Sequence, residues 1–161
     1  MAEFEELATA VLDICRGNGL MLATVESCTG GMVSAALTDI PGSSSVVERG
    51  FVTYSNEAKT ELVGVPMDLI ISHGAVSGEV ARAMAEGALT HAPVDLAVSI
   101  TGIAGPGGAT PTKPEGLVHF GCARKERATR HQGIEFGALG RAEVRRRSVI
   151  QALTMLRDMA D

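Results

Sequence analysis

Four short apolar runs, LMLATV (20–25), VVERGFVTY (46–54), VDLAVSIT (94–101) and LVHFGCAR (117–124), are separated by segments whose apolar residues recur at helical spacing. This interleaving constrains the fold more than any other feature, because strands that alternate with helices bury both only when the helices are layered on a sheet. Phe4, Leu7, Val11, Leu12 and Cys15 form one helical stripe that Gly17 and Gly19 bring to a stop. MVSAALTDI (32–40) reads as a short helix and NEAKTELVG (56–64) as a helical turn. GEVARAMAEGALTHA (78–92) reads as a helix with Ser77 as its N-cap, ending before Pro93, and a last helix covers about 141–159. ATRHQGIEF (128–136) lies close enough to LVHFGCAR across KER to pair antiparallel. The expected architecture is therefore a three-layer α/β/α sandwich with a mixed sheet, in a single domain over residues 1–161.

Composition narrows the functional classes. With aromatics at 3% and one Tyr, the core must be built from Val, Leu, Ile, Ala and Met, and Tyr54 stands apart. A net charge of −5 offers no general attraction for nucleic acid. Cys15, Cys28 and Cys122 are odd in number and contain no CxxC pair, which argues against a disulfide framework or a structural zinc site and for a reduced, cytoplasmic setting. The N-terminal MAEFEELATAVLDICRG is acidic where a signal peptide would be basic, and no run approaches the ~20 apolar residues of a membrane span.

Four places carry candidate chemistry. ESCTGG (26–31) stands where a strand gives way to a helix. It is either a tight connection, with Ser27 or Thr29 as N-cap and Gly30 and Gly31 allowing close packing, or a turn that presents a nucleophile beside free amides. Cys28 is a rival nucleophile there. TGIAGPGG (101–108) follows a strand as phosphate-binding loops do, yet it matches neither GxGxxG nor GxxxxGK[ST]. It is a crossover, or a loop whose amides line a pocket. YSNEAK (54–59) is a solvated helix start, unless Lys59 is desolvated and acts as a neutral general base to a serine. In the last helix Arg141 and Arg145 share a stripe with Val149, Ala152 and Leu156, whereas Arg146, Arg147 and Arg157 point away. Two inward guanidinium groups require an anionic partner, either a protein carboxylate or a substrate phosphate or carboxylate. His73, His91, His119 and His131 match no metal-binding spacing, and His119, within an apolar strand, reads as core or pocket lining.

Taken together, ESCTGG, YSNEAK running into LVGV, HGAVS, SITGIAGPGG, KPEGLVHFG and GRAEVRRRSV, in that order over residues 7–156, resemble the C-terminal domain of the CinA (competence/damage-inducible) family, whose members include nicotinamide-nucleotide amidohydrolases. The resemblance implies hydrolysis of the carboxamide of nicotinamide mononucleotide to nicotinic acid mononucleotide and ammonia, with no metal or organic cofactor. It implies that Ser27 attacks the amide carbon, that Lys59 takes the serine proton and passes one to ammonia, and that Tyr54 positions or polarises the pair. Thr101, with Gly102 and Gly105 of the same loop, falls in the amide or ribose pocket, and Arg141 falls near the phosphate. Amides around Thr29, Gly30 and Gly31 would receive the oxyanion, and Arg145 would join Arg141 unless an internal partner satisfies it.

The chain departs from the family pattern at Ala109, commonly glycine, and at Gly140, commonly polar or acidic, where a helix cap is lost. Similarity to the stand-alone form of the family, a homo-oligomeric state, most simply a dimer, and a small-molecule partner rather than nucleic acid or membrane complete the expectation. The alternatives are a non-catalytic nucleotide-binding module and a thiol hydrolase using Cys28.

Overall fold

The computed structural model describes residues 2–161. In chain order the elements are α1 (Glu5–Gly17), β1 (Leu22–Glu26), α2 (Met32–Thr38), β2 (Val47–Val52), α3 (Asn56–Val63), α4 (Met67–His73), α5 (Gly78–His91), β3 (Leu96–Gly102), β4 (Leu117–Arg124), β5 (Arg130–Glu135) and α6 (Arg141–Ala160). The five strands lie in the order β2-β1-β3-β4-β5. β1 pairs in parallel with both β2 and β3, while β4 and β5 join antiparallel. The mixed, three-layer arrangement expected from the interleaved pattern is the one observed.

Side-chain alternation divides the core into two layers. On one face Leu22, Leu96, Val98, Ile100, Val118, Phe120 and Cys122 pack beneath α1, α2 and α6. On the other, Ala23, Val25 and Ala97 meet Val63, Ile70, Val80, Met84 and Ala88 of α3, α4 and α5. The second face is built from small residues, which lets α5 lie close to the sheet. There the buried Ser99 hydroxyl donates to the Ala81 carbonyl at 2.5 Å and accepts from the Gly121 amide at 3.1 Å.

Three local features differ from the sequence expectation. The turn expected at 56–64 is a full two-turn helix, α3, capped by the Ser55 hydroxyl, which accepts from the Ala58 amide at 3.0 Å. The run through Tyr54 leaves the sheet after the Thr53 amide, which donates to Glu26 O at 2.8 Å, because Ser55 already caps that helix. α4 was not anticipated: between Pro66 and Gly74 only Ile70 is buried and Ile71 is 76% exposed, so no apolar stripe marks it.

The connectivity locates the site. From β1 the chain passes through α2 on one face to reach β2, then returns through α3, α4 and α5 on the opposite face to β3 on the far side of β1. The two connections leave the carboxyl ends of the strands in opposite directions, which opens a crevice there. No helix among the described residues is long and apolar enough to cross a membrane.

A methyl group at Gly121 would run into the Ala81 carbonyl and the Ser99 hydroxyl. Gly121→Ala is therefore expected to destabilise the fold by about 1–3 kcal/mol through overpacking, as a lower urea midpoint at unchanged slope.

Candidate active site

At the crevice lies a cleft of about 240 Å³. Its floor is Ser27 and Cys28 after β1 and Thr101 and Gly102 at the end of β3, and its walls include Lys59 and Asn56 of α3, Tyr54, Val76 and Arg141. A larger open groove, about 540 Å³, runs past Arg130, Gln132 and Gln151 between β5 and α6. It contains no paired nucleophile and base, so the smaller cleft is the candidate site.

Ser27 and Lys59, far apart in sequence, meet because β1 and β2 are adjacent and parallel and each delivers its next residues to the same end of the sheet. Lys59 Nζ lies 3.3 Å from Ser27 Oγ. The amine also reaches the main-chain carbonyls of Thr53 (2.8 Å), Ser55 (3.3 Å) and Tyr54 (3.4 Å). Lys59 is 1% exposed and has no carboxylate within ion-pair distance among the described residues. Burial pushes its pKa below the usual lysine value, against the opposing influence of Cys28 and Glu57. In its neutral form such an amine donates two N–H groups to carbonyls and offers its lone pair to a serine hydroxyl.

The turn that carries Ser27 is braced from both sides. Gly30 (φ 55°) and Gly31 (φ 106°) occupy the left-handed region and let the strand reverse into α2 within a few residues. Neither Ser27 nor Thr29 caps that helix. The cap is Glu26, a buried carboxylate that accepts from the Val33 amide (2.9 Å), the Ser34 amide (3.0 Å) and the Thr29 hydroxyl (2.7 Å). Thr29 therefore turns away from the cleft, and although Glu26 opens the ESCTGG motif, its part as the helix cap was not expected. The Gly30 amide is also taken, donating to Ser27 O at 3.0 Å. Among the described residues the Cys28, Thr29 and Gly31 amides have no main-chain acceptor, and of these Cys28 lines the cleft.

The two arginines separate. Arg141, the first residue of α6, is exposed at the rim of the cleft, donating to the Gly105 carbonyl at 3.0 Å and to the Tyr54 hydroxyl at 3.1 Å. Gly105 thus supplies a carbonyl to Arg141. Tyr54 is 61% exposed; its backbone carbonyl touches Lys59, but its phenol points to Arg141, not to the dyad. Arg145, half-buried, lies outside the cleft wall and donates to Cys28 O at 3.0 Å and Thr29 O at 3.4 Å. The expected inward guanidinium pair is corrected accordingly: one is exposed, the other braces the turn, and neither has a carboxylate partner among the described residues.

Thr101 is buried and its hydroxyl donates to the Ala75 carbonyl at 2.9 Å, leaving its oxygen free to accept. Beside it in the sheet, His119 shares a 2.8 Å hydrogen bond with His131 away from the cleft. Among the described residues no group of three or more His, Cys, Asp or Glu is arranged to hold a metal ion. Cys28, although in the cleft, is a poor nucleophile, because burial pushes its thiol up to about 11.

The family model for the CinA C-terminal domain matches residues 4–160. The chain is 54% identical over 144 residues to a CinA-like protein of Mycolicibacterium vanbaalenii, covering 86% of this chain and 33% of that one. It is 45% identical over 152 residues to a protein of Caldicellulosiruptor bescii named for competence-damage induction, covering 94% and 36%. The chain thus spans roughly a third of the length of these curated relatives. The crystal structure of the competence/damage inducible protein CihA from Agrobacterium tumefaciens superposes with a TM-score of 0.96 at 45% identity, covering 98% of this chain and 96% of that one.

All three thiols are buried and pushed up, Cys15 and Cys28 to about 11 and Cys122 to about 12. At pH 8 the native protein is expected to react with Ellman's reagent far below one thiol per chain, over a period in which the denatured chain yields all 3. A rapid native equivalent mapping to Cys28 would contradict this description of the cleft.

Proposed function

The chain belongs to the CinA C-terminal domain family, and from that premise we propose that it is an amidohydrolase that converts nicotinamide mononucleotide to nicotinic acid mononucleotide and ammonia. The observation that carries this reading is the 3.3 Å approach of a buried, carboxylate-free Lys59 amine to the Ser27 hydroxyl. No histidine is required, because burial supplies the lowered basicity that a serine-activating lysine needs.

In this mechanism the neutral Lys59 amine takes the Ser27 proton as Oγ forms a bond to the amide carbon. The negative charge that develops on the former carbonyl oxygen is received by the Cys28 amide, which has no main-chain acceptor among the described residues. The resulting Lys59 ammonium is steadied by the carbonyls of Thr53, Tyr54 and Ser55. It then returns its proton to the departing nitrogen as the C–N bond breaks, releasing ammonia and leaving an ester on Ser27. Water, deprotonated by Lys59, hydrolyses that ester to the carboxylate product.

The phosphate end falls to Arg141. It stands at the first turn of α6, where Gly140 contributes no side-chain cap, so the helix amides and dipole also favour an anion. Thr101 and Asn56 line the same cleft and are suited to hydrogen-bond the ribose or the carboxamide.

Purified protein is expected to release ammonia from nicotinamide mononucleotide, with kcat/KM rising as pH rises through the Lys59 pKa. That pKa lies below the usual 10.5 because burial disfavours the ammonium. Ser27→Ala and the volume-conserving Lys59→Met are each expected to lower kcat by at least about 10³-fold with the fold retained. Retention of most activity by either would remove the dyad, and binding without ammonia release by the wild type would indicate a nucleotide-binding module. For Arg141→Ala the loss should fall on KM, by about 1.5–3 kcal/mol for a charge-assisted contact; an unchanged KM would make Arg141 structural.

A further inference from the structure

Arg145 has a place in the hydrogen-bond pattern that neither substrate binding nor an internal salt bridge explains. Its guanidinium meets two carbonyls of the nucleophile turn, at 3.0 Å from Cys28 O and 3.4 Å from Thr29 O, and its charge is not cancelled by a carboxylate among the described residues. Each carbonyl is one end of a peptide unit whose other end is an N–H. Thr29 O shares its unit with the Gly30 amide, which donates to Ser27 O at 3.0 Å. Ser27 O in turn shares its unit with the Cys28 amide, and both Ser27 and Cys28 line the cleft.

A chain of hydrogen bonds thus runs from the guanidinium through the Thr29–Gly30 peptide to the Ser27–Cys28 peptide. Its free end is the N–H of Cys28, a residue that lines the cleft. A cation at one end of such a chain withdraws electron density from each carbonyl in turn and strengthens each successive N–H as a donor, most effectively where the local dielectric is low. The shorter contact acts on the neighbouring unit, where a guanidinium on Cys28 O polarises the Thr29 amide.

We infer that Arg145 is a positioning residue that orients and polarises the Cys28 amide as an oxyanion donor, acting through the Thr29–Gly30 and Ser27–Cys28 peptides and without touching the substrate. The inference rests on the amidohydrolase reading. It adds that the cation on the second turn of α6 serves the transition state, while the one on the first turn serves ground-state binding. Glu26 completes the frame from the opposite side, holding Thr29 and the start of α2 with three accepted hydrogen bonds, so the carbonyls that Arg145 addresses are held in place.

The test compares wild type, Arg145→Lys and Arg145→Met in two measurements. In steady-state ammonia release from nicotinamide mononucleotide, Arg145→Met is expected to lower kcat about tenfold, a partial loss of one oxyanion donor, with KM within about twofold. Arg145→Lys, which keeps the charge, is expected to recover part of that kcat. In the free protein, the Cys28 amide proton is expected to move upfield in Arg145→Met, as its donor strength falls, while amides of β5 stay in place.

A raised KM with kcat intact would return Arg145 to substrate binding and overturn the inference. So would an unmoved Cys28 resonance, or a lysine variant as impaired as the methionine one. Should Arg145→Met fail to fold, the lysine variant decides by the same two readings: a wild-type KM with a modestly lowered kcat and a small upfield shift supports the relay, and any other pattern overturns it. If the wild type releases no ammonia, the amidohydrolase reading fails, and the Cys28 shift still decides whether the relay exists.

Discussion

Burying the Lys59 amine at the end of the sheet, with three carbonyls and one hydroxyl for partners and no carboxylate among the described residues, is costly for a charged ammonium and far less so for a neutral amine. That asymmetry organises the site. It requires that the carbonyls of Thr53, Tyr54 and Ser55 converge on one point, which in turn requires β2 to end at Val52 and the chain to swing at once into α3. The swing is fixed by the Ser55 cap and by Val63 in the core below α5. On the amidohydrolase reading, a salt bridge to Lys59 would stabilise the ammonium and remove the base. The lack of a carboxylate paired with Lys59 among the described residues is therefore as much part of the site as the residues present.

The topology supplies the rest of the geometry. Two parallel strands deliver Ser27 and the turn before Lys59 to the same edge, a third delivers Thr101, and the connections diverge to opposite faces so that nothing fills the space between. The antiparallel pair β4 and β5 extends the core away from this point, and α6, packed on β3 and β4, projects its first turn past the sheet to the rim. That projection explains why Arg141 is exposed although it shares a helical stripe with buried Val149, Ala152 and Leu156. A stripe specifies a direction around the helix, and depth depends on where the helix runs out of core.

Much of the layered fold was legible because its strands are short apolar runs separated by clear helical stripes and Gly or Pro breaks. α4 was not, since its seven residues bury one side chain. Within the site, Ser27, Lys59, Thr101 and Arg141 stood in motifs that could be singled out, and the structure brings all four to one cleft. The directions of their neighbours were hidden. Thr29 belongs to the same motif but points inward to Glu26, and a glutamate at the end of an apolar strand gives no sign that it will be the helix cap. Tyr54 serves the dyad through its backbone, which side-chain identity cannot reveal. Arg145 was expected to meet an anion, because pattern reasoning pairs charge with charge; carbonyls of a tight turn are equally good acceptors and leave no mark on composition.

The claim on which the account turns is that Ser27, rather than water, attacks the amide. The direct measurement is acid quenching during turnover of nicotinamide mononucleotide, followed by intact-mass and peptide mass analysis. The account predicts a covalent acyl adduct of the product nucleotide on the peptide that carries Ser27, formed before steady state and enriched when added hydroxylamine is absent. Full-rate product formation with no adduct, and with no hydroxamate when hydroxylamine is supplied, would mean that water attacks directly, and the role given to Ser27 would be wrong.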